Sequence, residues 1–205
     1  MANITLYTHK ISRGRMVRWM LEELGEPYEV QFVEYGAQMK SPEYLAINPM
    51  GKVPALKHGD AIITETPAIL TYLADAFPEK NLIPPQGGAA RAAFFRWMFF
   101  VVSGLEAATL NQFLGMVPPE LSPWGKPSSG TLGYGSLELT LNTLENHLNQ
   151  NTFVCGEQFT AADIYVASHL IFGTQITKSY EMRTVFAAYI KRAFDRPGKH
   201  RADAA

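Results

Sequence analysis

Three short stretches carry residue types that could bind a small peptide, and the first is NPMGKVPAL, residues 48–56. Proline has no N–H for a sheet ladder, so it is tolerated only at edges, strand starts or bulges. If the Val53–Pro54 bond is cis, the chain turns sharply there and Val53 presents its backbone outward. An extended peptide could then pair with Val53 as an added strand. The alternative is that Pro54 only opens an edge strand.

The second stretch is ITETPAIL, residues 63–70, where a strand pattern passes into a helix pattern. The first N–H groups of a helix bind carboxylates, and the hydroxyl of Thr66 would add a donor. Glu65 could hold an ammonium group beside it. The pair would therefore suit the α-amino-acid end of a ligand. Alternatively, Thr66 only caps its own helix and Glu65 is a solvated charge.

The third stretch is YTHKISRGR, residues 7–15, which leads from a strand into a helix. The hydroxyl of Ser12 could donate a hydrogen bond to an anionic sulfur, and Arg13 and Arg15 add positive charge. A helix N-terminus and nearby cations lower a thiol pKa, and only the thiolate is a good nucleophile. The alternative is that Ser12 is a cap and the arginines are surface charges. A hydrolase serine is not expected, because no G-x-S-x-G motif is present.

The composition excludes several other classes of function. The formal net charge is −1, which does not match the basic footprint of a nucleic-acid-binding protein. Cys155 is the single cysteine, so we expect no internal disulfide, no cysteine-rich metal site and a reducing, cytoplasmic setting. The N-terminus has no signal-peptide pattern, and no run approaches the roughly 18 apolar residues of a membrane span. We therefore expect neither a metal nor a membrane.

The surrounding pattern predicts an α/β domain followed by a helical one. Strands at 3–8 and 27–35 flank a helix at 12–24 with Ser12 as its N-cap, and a hairpin at 53–65 precedes a helix at 66–77 capped by Thr66. This order is βαβ, then ββα. We predict domains at 1–80 and 89–205, a linker at 81–88 and a long loop at 118–136. In the all-helical second domain, Thr160 and Asp163 match a capping box.

In this order the motifs resemble the glutathione transferase family over nearly the whole chain. The resemblance implies a thioredoxin-like N-terminal domain, an all-α C-terminal domain and a homodimer. It also implies that Val53, before a cis proline, pairs with the cysteinyl part of glutathione. Glu65 and Thr66 would bind the γ-glutamyl group, and Lys52 would approach the glycyl end. Lys40 is the nearest candidate for a second basic group at that end.

The resemblance leaves two candidates for the residue that activates the thiol. Ser12 matches the loop serine of serine-type classes and is preferred, with Arg13 beside it, whereas Tyr7 matches the strand tyrosine of tyrosine-type classes. No cysteine occurs before residue 155, which departs from the beta and omega classes and argues against a mixed disulfide with the protein.

The implied activity is attack of glutathione thiolate on a small hydrophobic electrophile, as in detoxification, with glutathione as co-substrate. The electrophile is expected between the domains, near the 118–136 loop. Peroxidase or isomerase activity on the same fold, or a non-catalytic binding module, are the alternatives.

Overall fold

The computed structural model describes residues 3–116 and 132–204, so most of the predicted 118–136 loop lies outside the described residues. Contacts divide the chain into two compact units, Met1–Ile83 with Phe194–Ala205, and Pro84–Ala193. This division differs from the predicted boundaries at the C-terminus. Residues 194–205 were expected in the helical domain, but they pack with the first unit.

The first unit contains a four-stranded mixed sheet with the order β2-β1-β3-β4. Strand β1 pairs with β2 in parallel, while β1–β3 and β3–β4 are antiparallel. A parallel pair needs a crossover connection, which the first helix provides, and an antiparallel pair needs only a tight turn. The predicted βαβ-ββα order is therefore confirmed. The elements are β1 (Ile4–Thr8), α1 (Gly14–Leu24), β2 (Glu29–Phe32), α2 (Pro42–Leu45), β3 (Ala55–His58), β4 (Ala61–Thr64) and α3 (Thr66–Ala76).

The first residue of α1 and the N-cap of α3 differ from the prediction. Helix α1 begins at Gly14 and not at Ser12, because the N–H of Ser12 bonds the carbonyl of His9 at 3.0 Å in a preceding turn. Helix α3 begins at Thr66, and Glu65 occupies the N-cap that was predicted for Thr66. Each N-cap therefore lies one residue from its predicted position, at Arg13 and at Glu65.

The second unit is helical, as predicted. Its helices are α4 (Ala89–Phe100), α5 (Glu106–Phe113), α6 (Leu137–Leu148), α7 (Ala161–Ile171) and α8 (Thr184–Phe194). A π-helical turn, Val101–Leu105, makes α4 and α5 one continuous helical stretch. The core of this unit includes fully buried aromatic and aliphatic side chains from four helices: Phe94, Trp97, Leu144, Tyr165, Val166 and Phe186.

This continuous stretch corrects one expectation from the sequence. Ala89–Phe113 spans 25 residues, and its most apolar 18-residue window has a mean hydropathy of 1.3, which by length and composition is enough to cross a membrane. Of its most apolar window, 44% is buried within the protein. The core helices of soluble proteins meet the same criterion, so the stretch is weak evidence for a membrane span.

Helix α7 begins with the predicted capping box. The Asp163 carboxylate accepts the N–H of Thr160 at 2.8 Å, the N–H of Val154 at 2.9 Å and the hydroxyl of Tyr189 at 2.8 Å. Complete burial raises the pKa of Asp163 to about 6, and these hydrogen bonds oppose that rise. The Asp163 carboxylate therefore connects α7 to α8 and to the segment before α7 by hydrogen bonds.

A last helix, α9 (Pro197–Ala204), runs antiparallel along α1. The Arg196 guanidinium contacts the Glu23 carboxylate through Nε at 3.0 Å and Nη2 at 2.8 Å. Glu23 is only 5% exposed and also accepts the indole N–H of Trp19 at 2.9 Å. At the other end, Asp203 lies 3.5 Å from Arg15 in the first turn of α1. The described C-terminal residues thus pack on α1.

We expect Asp163→Asn to destabilise the protein, because an amide NH₂ cannot accept the donors that face either carboxylate oxygen. Each buried donor left unpaired costs about 1–3 kcal/mol. The raised pKa also makes the free energy of unfolding depend on pH. The contribution of the raised pKa to this free energy is largest below pH 4 and is lost as the pH rises through about 6. Urea unfolding of both proteins from pH 4 to 7 measures the two effects. Equal free energies of unfolding for Asp163→Asn and the wild type would contradict the expected destabilisation.

We expect Arg196→Ala to lower the free energy of unfolding by about 1–3 kcal/mol, because it leaves the buried Glu23 carboxylate without its cation. His200→Ala in α9, four residues after Arg196, is the matched control. His200 is 67% exposed and its partner Asp195 is 82% exposed. We expect a change below about 0.5 kcal/mol for this control. Equal effects of the two substitutions in urea unfolding would show that the Arg196–Glu23 pair does not hold α9.

Candidate functional site

The strand register brings the three sequence stretches to the same end of the sheet. Tyr7 of β1 lies opposite Ala55 of β3, and Ala55 lies opposite Thr64 of β4. Strand β1 ends just after this row, β3 begins at it and β4 ends at it. The turn containing Ser12, the Val53–Pro54 step and the Glu65–Thr66 pair therefore all emerge at this end.

The Val53–Pro54 peptide bond is cis, as the first stretch allowed. Pro54 is buried and Val53 is half-buried. The side chains of Val53 and Tyr7 pack against one apolar cluster of Val33, Met39 and Tyr44. Among residues 3–116 and 132–204, no group bonds the N–H or C=O of Val53. That backbone is therefore available to pair with an extended ligand.

The loop before Val53 is held by buried side chains that the sequence analysis missed. The carbonyl of Lys52 accepts the hydroxyl of Tyr44 at 2.6 Å and the amide Nδ2 of Asn48 at 2.8 Å. Asn48 is the first residue of the NPMGKVPAL stretch, and a buried asparagine so close to a turn is a signal of such support. Lys52 itself keeps an exposed side chain.

Lys40 also supports this loop. Its Nζ donates to the carbonyls of Met50 at 3.0 Å and Gly51 at 3.1 Å. A Cβ at Gly51 would lie 2.8 Å from the backbone oxygen of Met39, so only glycine fits, and the φ of +58° favours glycine too. Lys40 therefore orders the segment that leads to Val53, and its contact with the glycyl end of a ligand stays a prediction.

Glu65 has an unusual backbone conformation for a non-glycine residue, with φ +66° and ψ 119°. Such strain costs of order 1–3 kcal/mol and is concentrated at functional sites. The side chain of Glu65 is exposed, while Thr66 is 5% exposed. In the described part of the chain, neither the N–H nor the hydroxyl of Thr66 has a partner. The pair thus offers a carboxylate, an N–H and a hydroxyl side by side.

The hydroxyl of Ser12 lies in a dense local network at the start of α1. Its oxygen accepts the N–H of Gly14 at 3.1 Å, and it donates to the carbonyl of His9 at 2.9 Å. Thr8 Oγ1 lies 3.2 Å from Ser12 Oγ. A Cβ on Gly14 would lie 1.8 Å from Thr8 Oγ1, so only glycine lets α1 approach the end of β1 this closely.

The other candidates near Ser12 differ in their surroundings. Arg13 is half-buried, whereas the exposed Arg15 pairs with Asp203. The ring of Tyr7 lies against Tyr44, with a centroid distance of 6.2 Å. Both Ser12 and Tyr7 therefore stay candidates for contact with a ligand sulfur.

Metal and cysteine chemistry find no support in the described residues. No cluster of three or more His, Cys, Asp or Glu that could hold a metal ion occurs in them. Burial raises the pKa of Cys155 to about 12, so its thiol stays protonated at neutral pH.

Comparison with known proteins agrees with this geometry. Residues 2–75 match the family model of the glutathione S-transferase N-terminal domain, and residues 135–197 match that of the C-terminal domain. The glutathione S-transferase GstA of Escherichia coli O157:H7 is 30% identical over 156 residues, which cover 76% of this chain and 74% of that protein.

Solved structures give the same result over the full length. The theta-class glutathione S-transferase of Xanthomonas axonopodis pv. citri, with glutathione bound, has a TM-score of 0.77 and 28% identity, covering 98% of this chain and 97% of that one. The transferase URE2P6 of Phanerochaete chrysosporium, in complex with oxidised glutathione, has a TM-score of 0.79 and 26% identity, covering 99% and 96%. Both family domains and these similarities place the chain in the glutathione S-transferase family, and the protein is a glutathione transferase.

Proposed function

We propose that the protein uses the hydroxyl of Ser12 to stabilise the thiolate of bound glutathione, which then attacks a small hydrophobic electrophile. The observation that carries the proposal is the shared end of the sheet, where Ser12 emerges beside the unpaired backbone of Val53 and the unpaired donors of Thr66. An extended tripeptide lying across this end would present its central cysteine near the start of α1.

Each part of glutathione has a chemically matched group in this arrangement. Val53 pairs its N–H and C=O with the cysteinyl residue, as an added strand would. The N–H and hydroxyl of Thr66 bind the γ-glutamyl carboxylate at the N-terminus of α3, and Glu65 binds the neighbouring ammonium. Lys52 and Arg13 supply positive charge, Lys52 for the glycyl carboxylate and Arg13 beside the sulfur.

Activation requires the proton of Ser12 to turn from the His9 carbonyl towards the sulfur. The hydroxyl of Thr8 also donates to that carbonyl, at 3.3 Å, so the carbonyl keeps one donor when Ser12 turns away. Lowering a thiol pKa by two units takes about 2.7 kcal/mol. A hydrogen bond to a charged group contributes about 1.5–3 kcal/mol, so one hydroxyl and the end of α1 are sufficient.

The reaction is a displacement or an addition. The thiolate electron pair forms a C–S bond to the electrophile, and a leaving group departs or a proton is taken up. Glutathione is consumed as a co-substrate and no metal takes part.

We further propose a cytoplasmic homodimer that binds neither nucleic acid nor membrane. Phe95, Phe99 and Val102 lie three or four residues apart on the α4 stretch and are 38%, 67% and 39% exposed. An exposed apolar stripe of this kind supports burial against a second copy.

We expect Ser12→Ala to raise the pKa of the bound glutathione thiol towards the free value of about 8.5, while the glutathione Kd changes less than about threefold. Ultraviolet thiolate absorbance against pH measures this pKa. Ser103→Ala, which removes an exposed hydroxyl bonded to the Phe99 carbonyl, is the matched control. An unchanged pKa in the Ser12 variant, together with a raised pKa in Tyr7→Phe, would assign activation to Tyr7.

We expect Thr66→Val to weaken glutathione binding roughly three- to tenfold, because it removes one hydroxyl donor at nearly constant volume. Thr143→Val on the exposed surface of α6 is the control, and isothermal titration gives both Kd values.

Glu65→Gln should likewise weaken binding of glutathione but not of N-acetylglutathione, which lacks the ammonium group. Equal losses for the two ligands would exclude the Glu65–ammonium contact.

A further inference from the structure

The peptide unit between Lys52 and Val53 is held by two buried donors on its oxygen side. Tyr44 donates its hydroxyl at 2.6 Å and Asn48 its Nδ2 at 2.8 Å, both to the Lys52 carbonyl oxygen. Tyr44 is 4% exposed and Asn48 is 3% exposed. Two buried side chains thus converge on one backbone oxygen of an otherwise exposed residue.

Holding that oxygen determines where the N–H of Val53 points. The atoms of a peptide unit lie in one plane, and in a trans unit the C=O and the N–H point in opposite directions. The cis bond follows Val53 and does not involve this unit. Because the oxygen is fixed towards Tyr44 and Asn48, the N–H is aimed away from them, and it has no partner among the described residues.

Both donors are themselves held in place. Asn48 Oδ1 accepts the N–H of Met50 at 3.1 Å, which orients the amide so that its NH₂ faces Lys52. The ring of Tyr44 is part of the apolar cluster that also contacts Val53. Burial raises the pKa of Tyr44 to about 12, so its hydroxyl remains a donor at neutral pH.

We propose that Tyr44 and Asn48 are positioning residues that aim the Val53 N–H at the cysteinyl residue of glutathione. This inference rests on the proposed binding of glutathione against Val53. Donation to the carbonyl also polarises the peptide unit, because hydrogen bonds in series strengthen one another. The Val53 N–H is then both better directed and a stronger donor than an isolated amide.

Tyr44→Phe is the sharpest test, since it removes one hydroxyl and keeps the ring in the cluster. We expect the glutathione Kd and KM to rise roughly threefold, because the hydrogen bond from the Val53 N–H to glutathione is weakened but not lost. The kcat and the thiol pKa of bound glutathione should stay unchanged. Tyr72→Phe is the matched control in the same unit. It removes a hydroxyl that lies 3.1 Å from His58 Nδ1, and we expect no change in Kd.

A second measurement needs no ligand. Asn48→Asp keeps an acceptor for the Met50 N–H but removes the donor to Lys52, so the ¹⁵N resonance of the Val53 amide should move in this variant and in Tyr44→Phe. It should stay unchanged in Tyr72→Phe. The proposal requires both results, the moved resonance and the weaker binding in Tyr44→Phe.

The outcomes separate this inference from the proposed function. If the wild-type protein binds glutathione but Tyr44→Phe binds it as Tyr72→Phe does, the positioning role is overturned and the proposed function stands. An unmoved Val53 resonance also overturns the positioning role. If the wild-type protein does not bind glutathione, both proposals fail.

Discussion

The antiparallel register of β1, β3 and β4 is the constraint on which the site depends. One row of paired residues, Tyr7, Ala55 and Thr64, determines where three separate loops leave the sheet. A shift by one residue in any pair would reverse which side chains face the core, and the burial of Leu6 and Leu56 opposes it. The core thereby positions groups that do not themselves belong to it.

Around this row, the Lys52–Val53 peptide and Thr66 are held by the protein on one side and keep unpaired donors on the other. The Lys52–Val53 peptide is fixed through its oxygen, and Thr66 begins a helix with its own donors unpaired. The Ser12 oxygen accepts the N–H of Gly14, and the Ser12 hydroxyl donates its single proton to the His9 carbonyl until it turns towards a ligand. Preorganisation of this kind reduces the ordering cost of binding, which otherwise offsets much of the contact energy.

Helix α1 is stabilised at both ends by the C-terminal segment. The pairs Arg196–Glu23 and Arg15–Asp203 lie near opposite ends of α1, and α9 covers the face between them. The helix that carries the Ser12 turn is therefore anchored by residues far away in the chain. In the helical unit, Asp163 has a similar role at the start of α7, through bonds to Val154 and Tyr189.

The sequence by itself determined the order of elements, the capping box and the three candidate stretches, because periodicity, turn residues and caps are local signals. It did not determine the first residue of α1 or the N-cap of α3, since a serine or threonine near a helix start can serve more than one turn. Only the tertiary structure decided the docking of α9 and the support of Lys52 by Tyr44 and Asn48. These contacts depend on hydrogen bonds and packing between elements, and no local pattern specifies their partners.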